Sequence, residues 1–138
     1  MPKERRKKRV LIATKEEGLR AFDAAICRDR GFETLHARWG EEALKVFRQH
    51  RPVDLIVTDL LYDWSDWRLT MKGDGKTIKN GIQLAMAVRK LSRRQKVLIH
   101  TYAPAEQVRT HLHHALKGVV VLQKPFRPEE LAEYLEQV

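Results

Sequence analysis

The sequence has little of what marks secreted and membrane proteins. It contains one cysteine, Cys27, so a disulfide framework is excluded and a reducing, cytoplasmic location is expected. No apolar stretch approaches the roughly 20 residues that a membrane helix requires. Only a short apolar segment, residues 10–13, follows the basic N-terminus, which excludes a secretory signal peptide. We therefore expect a soluble protein without a membrane partner.

Acidic residues are outnumbered in this chain of 138 residues, which is the size of one domain. Its 27 Lys and Arg residues exceed its 18 Asp and Glu residues, for a net charge of +9. Residues 1–8 read as a basic, flexible leader, and residues 89–96 contain a second basic cluster. Either could contact nucleic acid. Solvated surface charge is the simpler explanation of both, so nucleic acid is the least favoured partner.

Five short apolar segments alternate with five helical patterns. The predicted strands are residues 10–13, 32–37, 53–59, 97–101 and 119–122. The predicted helices end near residues 30, 49, 91, 116 and 138. Strands that alternate with helices predict a parallel sheet covered on both faces. In such a sheet a functional site lies at the carboxyl ends of the strands.

The helical patterns also predict which side chains face the core. Phe22 belongs to an apolar series with helical spacing in the first helix. Phe47 is predicted to face inward from the second helix. In the third helix, Met86 is a candidate for the core, together with either Val88 or Leu91.

Polar side chains lie at the ends of three predicted strands. Asp59 ends the third strand in "VDLIVTDL", Thr101 ends the fourth, and "KPF" follows the fifth, beginning at Lys124. This arrangement resembles the receiver domain of two-component response regulators, the CheY-like family, over residues 8–138. The resemblance implies a flavodoxin-like, doubly wound (βα)5 fold with sheet order 2-1-3-4-5, in a single domain spanning residues 1–138.

The resemblance also implies roles for these residues. Asp59 would accept a phosphoryl group from the phosphohistidine of a histidine kinase or phosphotransfer protein. Lys124 would pair with Asp59 and then with phosphoryl oxygens, and Thr101 would donate its hydroxyl to the phosphoryl group. The bond between Lys124 and Pro125 would be cis. We expect a stand-alone, non-enzymatic response regulator that acts on an unknown effector protein, and a homodimer is a plausible form.

The first departure from the family pattern follows the first strand. Thr14 and Lys15 occupy the positions of the acidic pair that normally helps to hold Mg²⁺, and the first acid is Glu16. Mg²⁺ prefers anionic oxygen ligands, so no cofactor is expected; if the ion is bound, Asp59 and Glu16 are its candidate ligands. Either Lys15 lies against Asp59 as a fixed cation, the favoured alternative, or Glu16 or Glu17 swings in and restores part of the site. A third alternative leaves Lys15 in solvent.

The second departure is an insertion after Asp59. Residues 60–80 are longer than the usual loop of the family, and a β-hairpin is predicted there from Gly73-Asp74-Gly75. Its aromatic residues, together with Tyr102 beyond the insertion, are candidates for partner binding; those in the insertion are Tyr62, Trp64 and Trp67. Alternatively, the two tryptophans cover a small core within the loop.

The ending of a phosphate-binding loop also occurs in the insertion, as Gly75-Lys76-Thr77. The required earlier glycine is missing, because Thr70 stands at that position, so nucleotide binding is not expected. His111, His113 and His114 are best explained as a solvated helix face. His100 is predicted to lie on the side of the sheet opposite to Thr101.

Three functions are therefore open. The chain could be a phosphorylated receiver, a pseudo-receiver that binds partners without phosphorylation, or a basic nucleic-acid-binding module. Asp59, Thr101 and Lys124 favour the first, whereas Thr14, Lys15 and the insertion favour the second.

Overall fold

The strands lie in one parallel sheet, seen in a computed structural model that describes residues 6–60, 78–110, 112 and 116–138. Within these residues the sheet order is β2-β1-β3-β4-β5, which confirms the predicted doubly wound topology. The strands are β1 (Arg9–Ala13), β2 (Glu33–Ala37), β3 (Leu55–Asp59), β4 (Val97–Thr101) and β5 (Val120–Gln123). The helices are α1 (Glu17–Asp29), α2 (Gly40–His50), α3 (Gly81–Leu91), α4 (Ala105–Thr110) and α5 (Pro128–Leu135).

Two hydrophobic clusters cover the two faces of the sheet. One contains residues of α2, α3 and α4 and includes Phe47 and Ile99. The other contains residues of α1 and α5 and includes Cys27, Val57 and Leu98. Because side chains alternate along a strand, Asp59 and His100 lie on the α1 and α5 face with Val57 and Leu98, and Thr101 lies on the other. The predicted opposition of His100 and Thr101 is therefore confirmed.

The core differs from the predicted one in two helices. In α1, Phe22 is 37% exposed, and the buried residues are Asp23, Ala24 and Cys27. In α3, Met86 is exposed, so its assignment to the core was wrong. Of the two alternatives Val88 and Leu91, Val88 is the buried one. Apolar spacing along a helix does not show which side chains pack against the sheet and which lie at the edge of that contact. This depends on the rotation of the helix about its axis, which is set by packing.

Several predictions fall on residues outside the described ones. They include the β-hairpin, Tyr62, Trp64 and Trp67, the histidines at positions 111, 113 and 114, and the first five residues of the leader. Two other leader residues contact the domain. Arg6 forms two hydrogen bonds with the Asp54 carboxylate, at 2.9 and 3.0 Å, and the Lys8 ammonium donates to the Val138 carbonyl at 2.6 Å.

The start of α3 lies tightly against the end of β3. Asn80 caps the helix, since its side chain accepts a hydrogen bond from the Gln83 amide at 2.8 Å. The Gly81 amide donates to the Leu60 carbonyl at 2.8 Å. A Cβ atom at Gly81 would overlap the Asp59 carbonyl oxygen and lie 3.1 Å from Thr58 Cγ2. The close approach therefore requires glycine.

We expect Gly81→Ala to lower the free energy of unfolding by about 1–3 kcal/mol, because the added methyl displaces the backbone of Asp59. Urea denaturation measures the change. Gly18→Ala is the control, since a Cβ atom there meets nothing within 4 Å and we expect it to stabilise α1 by about 0.5–1 kcal/mol. Equal effects of the two substitutions would contradict the packing at Gly81.

None of the described helices combines the length and the apolar character that a membrane-spanning segment needs.

Candidate functional site

The carboxyl ends of β1, β3 and β4 meet at one edge of the sheet. The parallel register pairs Ala13 with Thr58 and Asp59 with His100. Thr14 directly follows β1, and the same register places it beside Asp59. The Thr14 amide still donates to the Ala37 carbonyl at 3.1 Å. Strand pairing thus aligns Thr14, Asp59 and His100 across three neighbouring strands.

Asp59 is buried, with only 3% of its surface exposed, and both of its carboxylate oxygens have partners. The Thr14 hydroxyl donates to Oδ2. The Lys124 ammonium donates to Oδ1 at 2.9 Å. His100 Nδ1 lies 2.9 Å from the same Oδ1, although its direction is too far from linear for a hydrogen bond. The Lys124 ammonium and a ring nitrogen of His100 therefore both lie beside one oxygen of Asp59.

These contacts determine the ionisation of Asp59. Burial by itself would raise the pKa of its carboxyl, but His100, then Lys124 and Thr14, together hold that pKa below its usual range. Opposite charge and donated hydrogen bonds favour the ionised form. Asp59 is therefore a carboxylate at neutral pH, which is the form that a nucleophile requires.

Lys15 does not take the predicted place. Its side chain is exposed, and it forms no hydrogen bond or ion pair with any described residue. Ile12, in the α1 and α5 cluster, and Thr14 lie on the face of Asp59, so strand alternation directs Lys15 away from it. The prediction that the Lys15 ammonium lies against Asp59 is wrong, and Thr14 makes the contact instead.

The rim of the site is formed by Glu16, Tyr102 and Lys124. One Glu16 oxygen lies 3.6 Å from the Lys124 ammonium. The Tyr102 ring centroid lies 4.4 Å from the same ammonium, and its hydroxyl is 3.5 Å from the other Glu16 oxygen. Tyr102 is 66% exposed, and its role in partner binding stays a prediction. The ion pair with Lys124 is therefore what connects Glu16 to the site.

Thr101 and Pro125 flank this arrangement. The Thr101 hydroxyl accepts a hydrogen bond from the Ala103 amide at 2.9 Å, and no described contact joins it to Asp59. The Thr101 carbonyl accepts from the Lys124 amide at 2.6 Å, which ties the end of β4 to the segment after β5. The bond between Lys124 and Pro125 is cis, as predicted.

The described residues around Asp59 do not suit a divalent cation. Mg²⁺ requires several oxygen ligands in octahedral geometry, but Oδ2 receives the Thr14 hydroxyl and Oδ1 faces Lys124 and His100. Glu16 is the nearest further carboxylate on this rim and is directed to Lys124. Among the described residues, no group of three or more His, Cys, Asp or Glu side chains could hold a metal ion. The donor set therefore does not match a Mg²⁺ site.

Sequence reasoning missed His100 as a member of this site. Its ring is fully buried, Nε2 lies 2.9 Å from Asp23 Oδ2 of α1, and Phe126 stacks on it with ring centroids 5.8 Å apart. The usable signal was the position of the two strand ends. Asp59 and Thr101 both end strands on this edge, and a register offset of one residue between β3 and β4 pairs Asp59 with His100. Nothing local in the sequence indicated Asp23, which reads as an ordinary polar residue in α1.

The fold was compared with known proteins. No family model and no curated protein sequence matches the chain. Among solved structures, the receiver domain from the hybrid histidine kinase CckA is 25% identical, with a TM-score of 0.68 over 94% of this chain and 96% of that one. The chemotaxis response regulator CheY4 of Vibrio cholerae is 22% identical, with a TM-score of 0.74 over 96% of this chain and 98% of that one.

A third structure is the response regulator TrrA of Thermotoga maritima, solved in complex with Mg(2+)-BeF. It is 24% identical, with a TM-score of 0.73 over 94% of this chain and 97% of the other. All three likenesses extend over nearly the whole of both chains. The chain therefore has the fold of the CheY-like receiver domains of response regulators.

Proposed function

We propose that this chain is a receiver module of two-component signalling, in which Asp59 accepts a phosphoryl group. The observation that carries the proposal is the buried, ionised Asp59 at the carboxyl end of β3, with the Lys124 ammonium 2.9 Å from its Oδ1. A carboxylate held beside a lysine at this edge of a doubly wound sheet can act as a nucleophile, and the ammonium can then pair with phosphoryl oxygens.

The donor in this proposal is a phosphohistidine on a histidine kinase or phosphotransfer protein. The added phosphoryl group would carry extra negative charge and accept new hydrogen bonds. Thr101 is suited to respond, because its hydroxyl lies at the same edge and, among the described residues, accepts its hydrogen bond from the Ala103 amide. A partner protein would then read the altered surface near Tyr102, which is exposed and in contact with Lys124.

A second function is a phosphorylation-independent interaction module of the same fold. It is favoured by the contacts of the unmodified Asp59, since Thr14, Lys124 and His100 already engage both carboxylate oxygens. Such contacts would stabilise a single, unphosphorylated state and would slow attack on phosphorus.

Intact-mass spectrometry after incubation with phosphoramidate separates the two functions. We expect the mass of one phosphoryl group to be gained by the wild type and by Asp54→Asn, but not by Asp59→Asn. Asp54 is a matched control because it immediately precedes β3, at the end of the strand remote from the site. The absence of any gain in the wild type, with or without Mg²⁺, would reject the phosphoryl-acceptor function in favour of the second one.

A further inference from the structure

A fully buried histidine joins the site to helix α1. His100 lies between two carboxylates, with Nε2 2.9 Å from Asp23 Oδ2 and Nδ1 2.9 Å from Asp59 Oδ1. The Asp23 and His100 side chains have no exposed surface. The stacked Phe126 ring, tilted by 24° to the imidazole, covers one face of His100 and restricts its rotation.

The two contacts determine the charge of this imidazole. A neutral imidazole has one N–H group and one nitrogen lone pair, and an ionised carboxylate only accepts. With a carboxylate oxygen at 2.9 Å from each nitrogen, a neutral ring would place an unprotonated nitrogen beside one of the two anions. The doubly protonated ring avoids this repulsion. Burial opposes the charge, but Asp23 and then Asp59 outweigh it and raise the pKa of His100.

A charged His100 changes the electrostatics of the acceptor. Oδ1 of Asp59 then faces two cations, the His100 imidazolium and the Lys124 ammonium, in a region where water does not screen them. Transfer of a phosphoryl group depends on neutralising negative charge around the reacting oxygens. The described residues lack the ligand set for a divalent ion, yet they place a second cationic side chain against the nucleophile.

We infer that His100, oriented by Asp23, supplies beside Asp59 the positive charge that a divalent cation would otherwise supply, so that phosphoryl transfer to Asp59 needs no added Mg²⁺. This inference rests on the proposed phosphoryl-acceptor function. With phosphoramidate, an Asp59 oxygen forms the new bond to phosphorus, the P–N bond breaks, and the nitrogen leaves with the bonding pair as ammonia. His100 keeps both protons throughout and acts through its charge, whereas Asp23, which contacts His100 but not Asp59, is the positioning residue.

The first test uses the wild-type protein alone. Phosphoramidate labelling is followed over time by intact mass, once with excess EDTA and once with Mg²⁺. Equal rates under the two conditions are expected. A Mg²⁺-dependent increase in rate would overturn the inference while leaving the acceptor function of Asp59 in place. Labelling under neither condition would reject the acceptor function itself, and the inference with it.

The second test removes the charge of His100 or of its partner. In EDTA we expect His100→Asn and Asp23→Asn each to slow labelling, the former by about 100-fold, which is typical for the loss of one preorganised charge-stabilising group. Lys15→Ala is the matched control and should label as the wild type does, since Lys15 is exposed and does not contact Asp59. Circular dichroism establishes that each variant is folded. Wild-type rates in folded His100→Asn would overturn the inference.

A third readout requires no substitution at all. The ¹⁵N chemical shifts of the His100 ring in the wild-type protein at neutral pH distinguish a doubly protonated ring from either neutral tautomer. We expect both nitrogens to be protonated. Shifts of a neutral ring would overturn the inference even if labelling proved independent of Mg²⁺.

Discussion

Asp23→Ala is expected to lower the free energy of unfolding by about 3–5 kcal/mol, because removing one partner of a buried ion pair leaves the other charge uncompensated. The His100 ring loses the oxygen that lies 2.9 Å from Nε2, in a place without exposed surface. It must then either keep a charge with one carboxylate fewer or release a proton. Chemical denaturation at neutral pH measures the loss.

Two further variants separate the ion pair from ordinary helix effects. Asp29→Ala changes an exposed acid of the same helix and should alter stability by no more than about 0.5 kcal/mol. The double variant Asp23→Ala/His100→Leu replaces both members of the pair with apolar groups and should regain much of the loss. Equal losses in Asp23→Ala and Asp29→Ala would contradict the buried bridge.

The stability contributed by His100 should also depend on pH with a defined sign. Its pKa is raised in the folded protein, so this contribution is fully present below the unfolded value of about 6.5 and is lost as the pH rises through the folded pKa. The destabilisation by Asp23→Ala should therefore be largest below about pH 6.5 and should shrink at higher pH. Asp59 does not titrate in that window, because its pKa is lowered.

Phe47→Ala is expected to destabilise the protein by about 3–5 kcal/mol, as large-to-small changes in a close-packed core do. Phe47 is one of the largest fully buried side chains and packs in the cluster formed by α2, α3 and α4. Truncating it leaves a cavity beneath the sheet that the surrounding β-strands cannot readily fill. Urea denaturation with unchanged m-value would show that the loss arises in the folded state.

Phe22→Ala is the matched control, since it makes the same chemical change on α1. Phe22 is 37% exposed, and its ring contact is with Phe126 at 5.9 Å between centroids. Losing that contact should cost about 1 kcal/mol. If both phenylalanine variants lost the same stability, the burial of Phe47 against the sheet would be contradicted.

Local patterns in the sequence were enough to predict a parallel sheet covered by helices, whereas the sheet order was implied by the resemblance to receiver domains. Alternation of apolar segments with helical patterns requires a parallel sheet, and every predicted strand is present with ends shifted by two residues at most. The end of β3 at Asp59 and the end of β4 at Thr101 were also predicted. These features are local because a strand or helix is specified by the periodicity of its own residues.

The neighbours of Asp59 could not be read in the same way. Thr14 contacts Asp59, and Lys15 does not, because the register of β1 against β3 selects one of two adjacent side chains. His100 lies 77 positions from Asp23 in the chain, and only the rotation of α1 on the sheet brings the two together. Strand register and helix rotation depend on packing between distant segments, so the contact of His100 with Asp59 became visible only in the folded molecule.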